Sequence, residues 1–440
     1  MADGVVAEVA PLVEGAESKP DEGRFLNKNI VLLWQGQLVS ALGDVSYDIA
    51  LGFWVMAVTG STALMGTLMA ASAIPRIVLS PFAGVWVDRG DRKAFIVLMD
   101  VIRGLLVLGV GIAALMGILK IWMVLVAGIL LGASSAFFQP AAGSILPDLV
   151  AKQHLMKANS AFAIIRTGSG LLGNGIGGFI YATIGAPLMF LFNGISYLFS
   201  AFTELFISVP KIEHVKKDAR FWSDMNDGLK YVKDTPGMRQ LFFSAAAVNF
   251  FASMSFVLIL PFFQQTTGLG PERYGITMAA LTGGMLLGMV LSSVLKISNK
   301  NRFPVFAVGV TLMTGFWMLF PLMNNFILMV AAIFAGGVFN AIINIIIETI
   351  LQLTIPQHMR GKVGGLLSAI SGGLTPLAMA TGGFLGEFLP LNLTIAGGFA
   401  AILVLIIPLM FTRQFRSFFH GGGEEPQPAA GDAQTPSEPR

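Results

Sequence analysis

Two carboxylates occupy an apolar run where water should be scarce. Asp44 and Asp48 sit mid-way along residues 30–57, four positions apart, and so share one face of a helix. A charge at the centre of a bilayer costs about 2.5–3.5 kcal/mol on insertion scales, which makes such residues candidates for function. Two carboxylates on one face repel when both are ionised. One of them is therefore suited to take up and release a proton, and the pair is equally suited to hold a cationic solute. The competing reading is a structural ion pair or a water-filled mouth. Arg76, which follows Pro75 in the next apolar run, and Arg166, about two turns into a later one, are the candidate partners, and an exchange of partners would gate access.

Other charges fall in similar runs. Asp100 and Arg103 are spaced i,i+3 close to the Asp88 loop and read mainly as a structural latch for the inward-closed state, not as substrate contacts. Glu348 follows Asn344 and Asn340 at four-residue steps, a polar stripe that either lines a cavity or hydrogen-bonds locally. Glu204 and Glu387 lie near the ends of runs and are expected to snorkel to the interface. Phe53, Trp54, Phe250 and Phe256 are candidate walls of an apolar cavity, to which some of the 22 Met would adapt.

The elements that must position these residues follow from composition. The chain is 55% hydrophobic and 12% charged, against roughly 25% charged in soluble domains, so its main solvent is hydrocarbon. At roughly 20 residues per crossing, spans fall near 30–57, 62–87, 94–117, 121–146, 159–183, 186–209, 239–264, 273–296, 303–323, 326–354, 363–388 and 391–412. With the N-terminus inside, 23 of the 28 Lys and Arg lie on inner segments. Only Lys120 and Arg273 lie outside, and three fall within spans. This positive-inside bias predicts both termini in the cytoplasm of a cell that keeps the protein in its cell membrane. Residues 1–24 carry six acids and lack the form of a cleavable signal.

The expected organisation is a cytoplasmic tail (1–28), a six-helix half (29–209), a cytoplasmic linker (210–238), a second six-helix half (239–415) and a Gly/Pro/Glu-rich disordered tail (416–440). Within the linker, Trp222, Met225, Leu229 and Val232 are spaced for one face of an amphipathic helix. The halves repeat: Gly132 and Gly336, and His154 and His358, are each separated by 204 positions, the histidines within "ILPDLVAKQHLMKANSAFAI" and "ILQLTIPQHMRGKVGGLLSAI". A 6+6 duplication places a transport site between the halves near mid-membrane. With no Cys, no nucleotide-binding Gly-Lys-Ser/Thr loop and no catalytic or metal cluster at membrane depth, neither enzyme chemistry nor a cofactor is expected. The basic residues sit in short loops, which argues against nucleic acid as a partner.

Four segments carry a resemblance. They are "GVWVDRGDRK" at 84–93, "FFQPAAGSILPDLVAKQHLMKANS" at 137–160, "DGLKYVKDTPGMR" at 227–239 and "SGLLGNGIGG" at 169–178. On these the chain resembles the major facilitator superfamily, and within it the macrolide-efflux-like branch of drug:proton antiporters. The resemblance implies an all-α fold of twelve transmembrane helices in two halves that rock about a central cavity, and proton-driven export. It implies that Gly84, Asp88, Arg89, Arg92 and Lys93, with Asp100 and Arg103, form a conformational latch at the inner face. It also implies an antiporter motif at Gly173, Gly177 and Gly178, in which Asn174 stands where the family has Pro. The expected partners are a small amphipathic substrate (drug or siderophore-like), protons and membrane lipid, with the chain working as a monomer. A lipid or lysophospholipid translocase of the same fold, and a transport-inactive scaffold or sensor, are the alternatives.

Overall fold

The structure, a computed structural model, describes residues 26–209, 221–235, 237–295 and 297–419. The N-terminal stretch, the first part of the linker and the Gly/Pro/Glu-rich tail lie outside the described residues, as do the side chains of Asp88, Arg166 and Trp222. The helices are α1 (Lys28–Thr59), α2 (Thr62–Arg89), α3 (Arg92–Leu115), α4 (Ile121–Leu149), α5 (Leu155–Leu205), α6 (Phe221–Asp234), α7 (Met238–Phe256), α8 (Ile259–Gln265), α9 (Pro271–Val294), α10 (Arg302–Leu319), α11 (Phe326–Thr354), α12 (Gln357–Phe388), α13 (Leu391–Met410) and α14 (Arg413–Phe419). Their starts follow local chemistry. Asn27, Ser61, Asp91 and Asn325 each accept a backbone N–H from the first turn that follows, satisfying donors a helix start leaves free.

Eleven of the helices, joining α7 to α8, are long and apolar enough to cross a bilayer among the described residues. One counts twice. At 51 residues α5 would extend to about 77 Å, more than twice the hydrocarbon core. Gly185 has φ 74° and ψ 174° and is followed by Pro187, so the chain reverses there and α5 supplies two spans. That makes twelve. The 326–354 run, which the sequence also allows as a shorter helix plus loop, is one continuous helix.

In the first half α1 and α3 pack along α5, and α2 along α4; in the second, α9 and α10 pack along α11, and α12 and α13 along α7. Glycines let the backbones touch and reveal the repeat in three dimensions. A Cβ on Gly132 would lie 1.9 Å from the Ser72 carbonyl, and one on Gly337 would lie 2.5 Å from that of Leu281. The structural partner of Gly132 is thus Gly337, 205 positions on. Gly336, the sequence match, packs instead on the Trp317 indole. The same offset of 205 relates Gly178 to Gly383, which carry the contacts between halves: Gly178 against Pro271 and Gly275 of α9, Gly383 against Thr62 and Gly66 of α2.

Those two seams close one end of the molecule, the end away from the Lys/Arg-rich loops. Toward the basic end, Gly168 and Gly170 of α5 and Gly361, Gly364 and Gly372 of α12 meet nothing within 4 Å. The halves therefore touch at one end and part at the other.

Two peripheral elements differ from expectation. On α6, Val232 is buried and Gly228 backs onto the Lys362 carbonyl of α12, while Asp227 Oδ2 accepts from Lys362 Nζ at 2.5 Å. Leu229 points away, exposed, so the docked face is rotated from the predicted one. Beyond α13 the chain stays helical to Phe419, past the tail boundary expected at Arg416, because Phe415, Phe418 and Phe419 are buried and two of them pack on Phe303 and Phe306.

Candidate functional site

Between the halves lies a cavity of about 1040 Å³, at the upper end of the roughly 300–1,000 Å³ of drug-sized pockets. Its two walls differ. The first half supplies the charges: Asp44 and Asp48 from α1, Arg76 from α2, with Asn174 and Tyr197 from α5. The second half supplies neutral groups: Asn249 of α7, Asn340 and Asn344 of α11, Ser371 and Thr375 of α12, beside Phe256 and Trp317. Five of the 22 methionines line the space, unbranched and polarizable side chains that adapt to varied shapes.

Asp44 accepts a hydrogen bond from the Tyr197 hydroxyl. The Arg103 guanidinium lies 4.6 Å from the Tyr197 ring centroid and 3.8 Å from that of Phe138, and it is paired with Asp100. The cation nearest Asp44 in this network is therefore Arg103, through Tyr197, and not Arg76. Arg76 lies within electrostatic reach of Asp48 without forming a salt bridge to it among the described residues. Tyr274 of the second half also faces Asp48, and solvent in the cavity reaches the Asp48 side chain. Arg166 sits on α5, its side chain outside what is described.

Asp100 and Arg103 are buried inside the first half and paired with each other. The loop has its own contacts. Arg92 Nη1 bonds Asp148 Oδ2 at 2.6 Å and the Ser144 carbonyl at 3.0 Å, and Lys93 Nζ bonds the Leu205 carbonyl at 2.7 Å. The residue capping α3 is Asp91, while Arg89 is exposed and Gly84 borders open space. These described contacts stay within the first half; with the basic end parted, they do not join the halves.

Glu348 does not reach the cavity. Eight residues beyond Asn340, a helix has advanced about 12 Å and turned by roughly 80°, and Glu348 is exposed outside the lining. Asn344 both lines the cavity and donates to the Asn340 carbonyl at 2.8 Å. Of the proposed aromatic walls only Phe256 lines it. Phe53 is fully buried, stacked on Tyr181 at 4.9 Å, because it faces the α1–α5 packing. Glu204, expected to snorkel, is 1% exposed, because α5 carries it inward against Gln37 and Ser200. Glu387 accepts from Ser61, Thr62 and the Ala63 amide across the seam.

In the glycine motif, Gly173 and Gly177 seat α5 against Val45 and Ile49 of α1, on either side of the Asp48 turn. The helix runs through Asn174 unbroken, as expected of a residue that keeps its N–H where Pro would not. Tyr197 and Asp148 escaped the sequence reading, which placed Glu204 at the interface. A signal for Tyr197 existed: the chain has five Tyr, and Tyr47, Tyr197 and Tyr274 all line the cavity.

Twelve spans in two repeated halves, closed at one end over a central two-walled cavity, define an integral membrane transport protein. The family model described as Major Facilitator Superfamily matches residues 33–380 and 242–431, and the chain belongs to that family. An MFS-type transporter of Bacillus subtilis, YfiS, is 25% identical over 87% of this chain and 93% of its own length. The multidrug efflux pump Tap of Mycolicibacterium fortuitum is 26% identical over the same shares of the two chains. Macrolide efflux protein A of Streptococcus pyogenes is 23% identical over 64% of this chain and 71% of its own. Among solved structures, a bacterial homolog of the human lysosomal transporter Spinster, in an inward-facing and unoccupied conformation, aligns with TM-score 0.65 at 16% identity, covering 90% of this chain and 97% of that one.

Proposed function

We propose that this transporter exports amphipathic small molecules in exchange for protons, by alternating access, from a cell membrane in which both its termini are cytoplasmic. The observation that carries the reading is the two-walled cavity. Its acids on one side suit a cationic or polar end, and its amides, aromatics and methionines on the other suit an apolar body. Among the described side chains Arg76 is the one basic group in the lining, which favours such a solute over an anionic lipid headgroup. The names of two relatives, a multidrug efflux pump and a macrolide efflux protein, point the same way. On the positive-inside orientation the open end faces the cytoplasm, so the structure corresponds to an inward-facing state ready to load.

Asp44 and Asp48 are the proposed coupling and substrate carboxylates. In proteoliposomes carrying a pH gradient, lipophilic cations and macrolides should elicit proton flux with the wild-type protein. Asp48→Asn should abolish that flux and Asp44→Asn should reduce it, with both variants still folded by gel filtration. Flux that survives in both variants would remove the assignment.

A further inference from the structure

Behind the cavity wall lies a second pair of acids. Asp100 of α3 and Glu204 near the end of α5 are 0% and 1% exposed. Glu204 Oε1 accepts from Ser200 Oγ at 3.3 Å and from Gln37 Nε2 at 3.4 Å. Asp100 Oδ1 is bonded by Arg103. The remaining oxygens, Asp100 Oδ2 and Glu204 Oε2, are buried and accept no hydrogen bond. Helix packing brings the two groups together: Gly104, one turn after Asp100, lies against Gly194 and Leu198 of α5, and the two carboxyl groups interact with each other and with Arg103.

Two carboxylates are both acceptors, and they hydrogen-bond to each other only when one carries a proton. The charges give the same answer. Arg103 of α3 interacts with both acids, and Asp44 of α1 and Tyr197 of α5 interact with Asp100; α4 contributes Phe138, and Lys93, nearer the basic end, is bonded to the Leu205 carbonyl. Two buried carboxylates against one guanidinium leave an uncompensated charge in a low-dielectric interior, which is strongly unfavourable. One shared proton removes that charge and supplies the donor that the orphan oxygens lack.

We propose that Asp100 and Glu204 form a proton-binding site that holds one proton between them, and that Arg103 links its occupancy to Asp44 in the cavity. The linkage part rests on the proton-coupled reading above. Arg103 interacts with all four groups, Asp100, Glu204, Tyr197 and Asp44. With the proton bound, the pair holds one negative charge and Arg103 balances it while still supporting ionised Asp44 through Tyr197. When the proton leaves to solvent, a second negative charge competes for the same guanidinium. The charge available at Asp44 for a cationic solute therefore depends on a proton that never enters the cavity.

Infrared spectroscopy of the purified full-length protein tests the site without any substrate. At about pH 7, where free carboxyl groups are ionised, the wild-type protein should show a protonated-carboxyl C=O band that shifts in D2O. The band should be lost in Glu204→Gln and in Asp100→Asn, and should remain in the Asp44→Asn/Asp48→Asn double variant. Both single changes are near-isosteric, and the amide of Glu204→Gln can donate where the proton did. The wild-type spectrum is decisive even if a variant does not fold: no protonated carboxyl overturns the site, as does a band that survives Glu204→Gln and vanishes in the double variant. In proteoliposomes Glu204→Gln should keep substrate exchange yet lose at least about tenfold of pH-driven transport, roughly 1.4 kcal/mol. Normal pH-driven transport in Glu204→Gln overturns the link to Asp44. A wild-type protein that shows the band but moves no protons with any solute overturns the coupled-export reading and that link together, and leaves the proton site standing.

Discussion

Tyr197 joins the cavity to the buried cluster with one hydroxyl and one ring. The hydroxyl donates to Asp44, and the ring lies under Arg103. Tyr197→Phe separates the two roles, since the ring stays. A hydrogen bond to a charged group contributes about 1.5–3 kcal/mol, so substrate-driven proton flux should fall by at least about tenfold while the thermal melting point stays within a few degrees of wild type. Unchanged flux would mean that Asp44 is held by something other than Tyr197. At this scale the sequence was informative where a residue contradicts its surroundings. Asp44 and Asp48 stand out in an apolar run, and the cavity contains both. Their partners were hidden for two reasons. Arg103 already had an acid at i−3 to account for it, which masked its reach toward α1. Glu204 lies near the end of an apolar run, and hydropathy does not distinguish an end at the interface from one turned into the helix bundle.

Helices carry the state of the molecule through their glycines. A Cβ on Gly178 would fall 2.0 Å from the backbone carbonyl of Pro271, an atom that cannot rotate away. Overpacking of this kind costs about 1–3 kcal/mol, equivalent to roughly a 5- to 150-fold change in an equilibrium. Gly178→Val should therefore disfavour the state described here, with its seam closed and its basic end open. Gly168→Val should not, since nothing lies within 4 Å of that position. The chain has no Cys, so a single Ser371→Cys in the cavity reports access to a bulky maleimide without background. Gly178→Val should slow its labelling from the basic side, and Gly168→Val should not; equal rates in all three backgrounds would show that the seams do not set the state. The spans were legible because twelve apolar runs and the Lys/Arg bias must agree with one another. The repeat was legible only to within one residue. Composition cannot say whether Gly336 or Gly337 meets the neighbouring backbone, since that depends on helix rotation. The rotated face of α6 and the extension of α14 to Phe419 also depend on tertiary partners, Lys362 in one case and the Phe303–Phe306 surface in the other.

Across the whole molecule, two halves joined at one end can expose the cavity to the other side only by breaking that joint. Besides the glycine seams, the joint contains polar contacts that link the halves directly: Thr62 Oγ1 donates to the Gly383 carbonyl at 2.8 Å, and a carboxylate adds three more. Glu387 of α12 accepts from Ser61 Oγ at 3.0 Å, Thr62 Oγ1 at 3.2 Å and the Ala63 amide at 3.1 Å. A carboxylate at the N-terminus of α2 gains about 0.3–1 kcal/mol from the helix dipole, enough to bias a two-state balance and too little to prevent opening. Linking this point covalently should therefore separate loading from release. Ser61→Cys with Glu387→Cys, joined by a short thiol-specific cross-linker, should halt net transport in proteoliposomes. The linked protein should still bind substrate from the basic side with a dissociation constant within about threefold of the unlinked one, under 1 kcal/mol, because the loading state is the one the link preserves. A reductant-cleavable linker should restore transport on cleavage. Normal transport in the linked protein would mean that the halves do not part at this end, and the alternating-access reading of the cavity would fall with it.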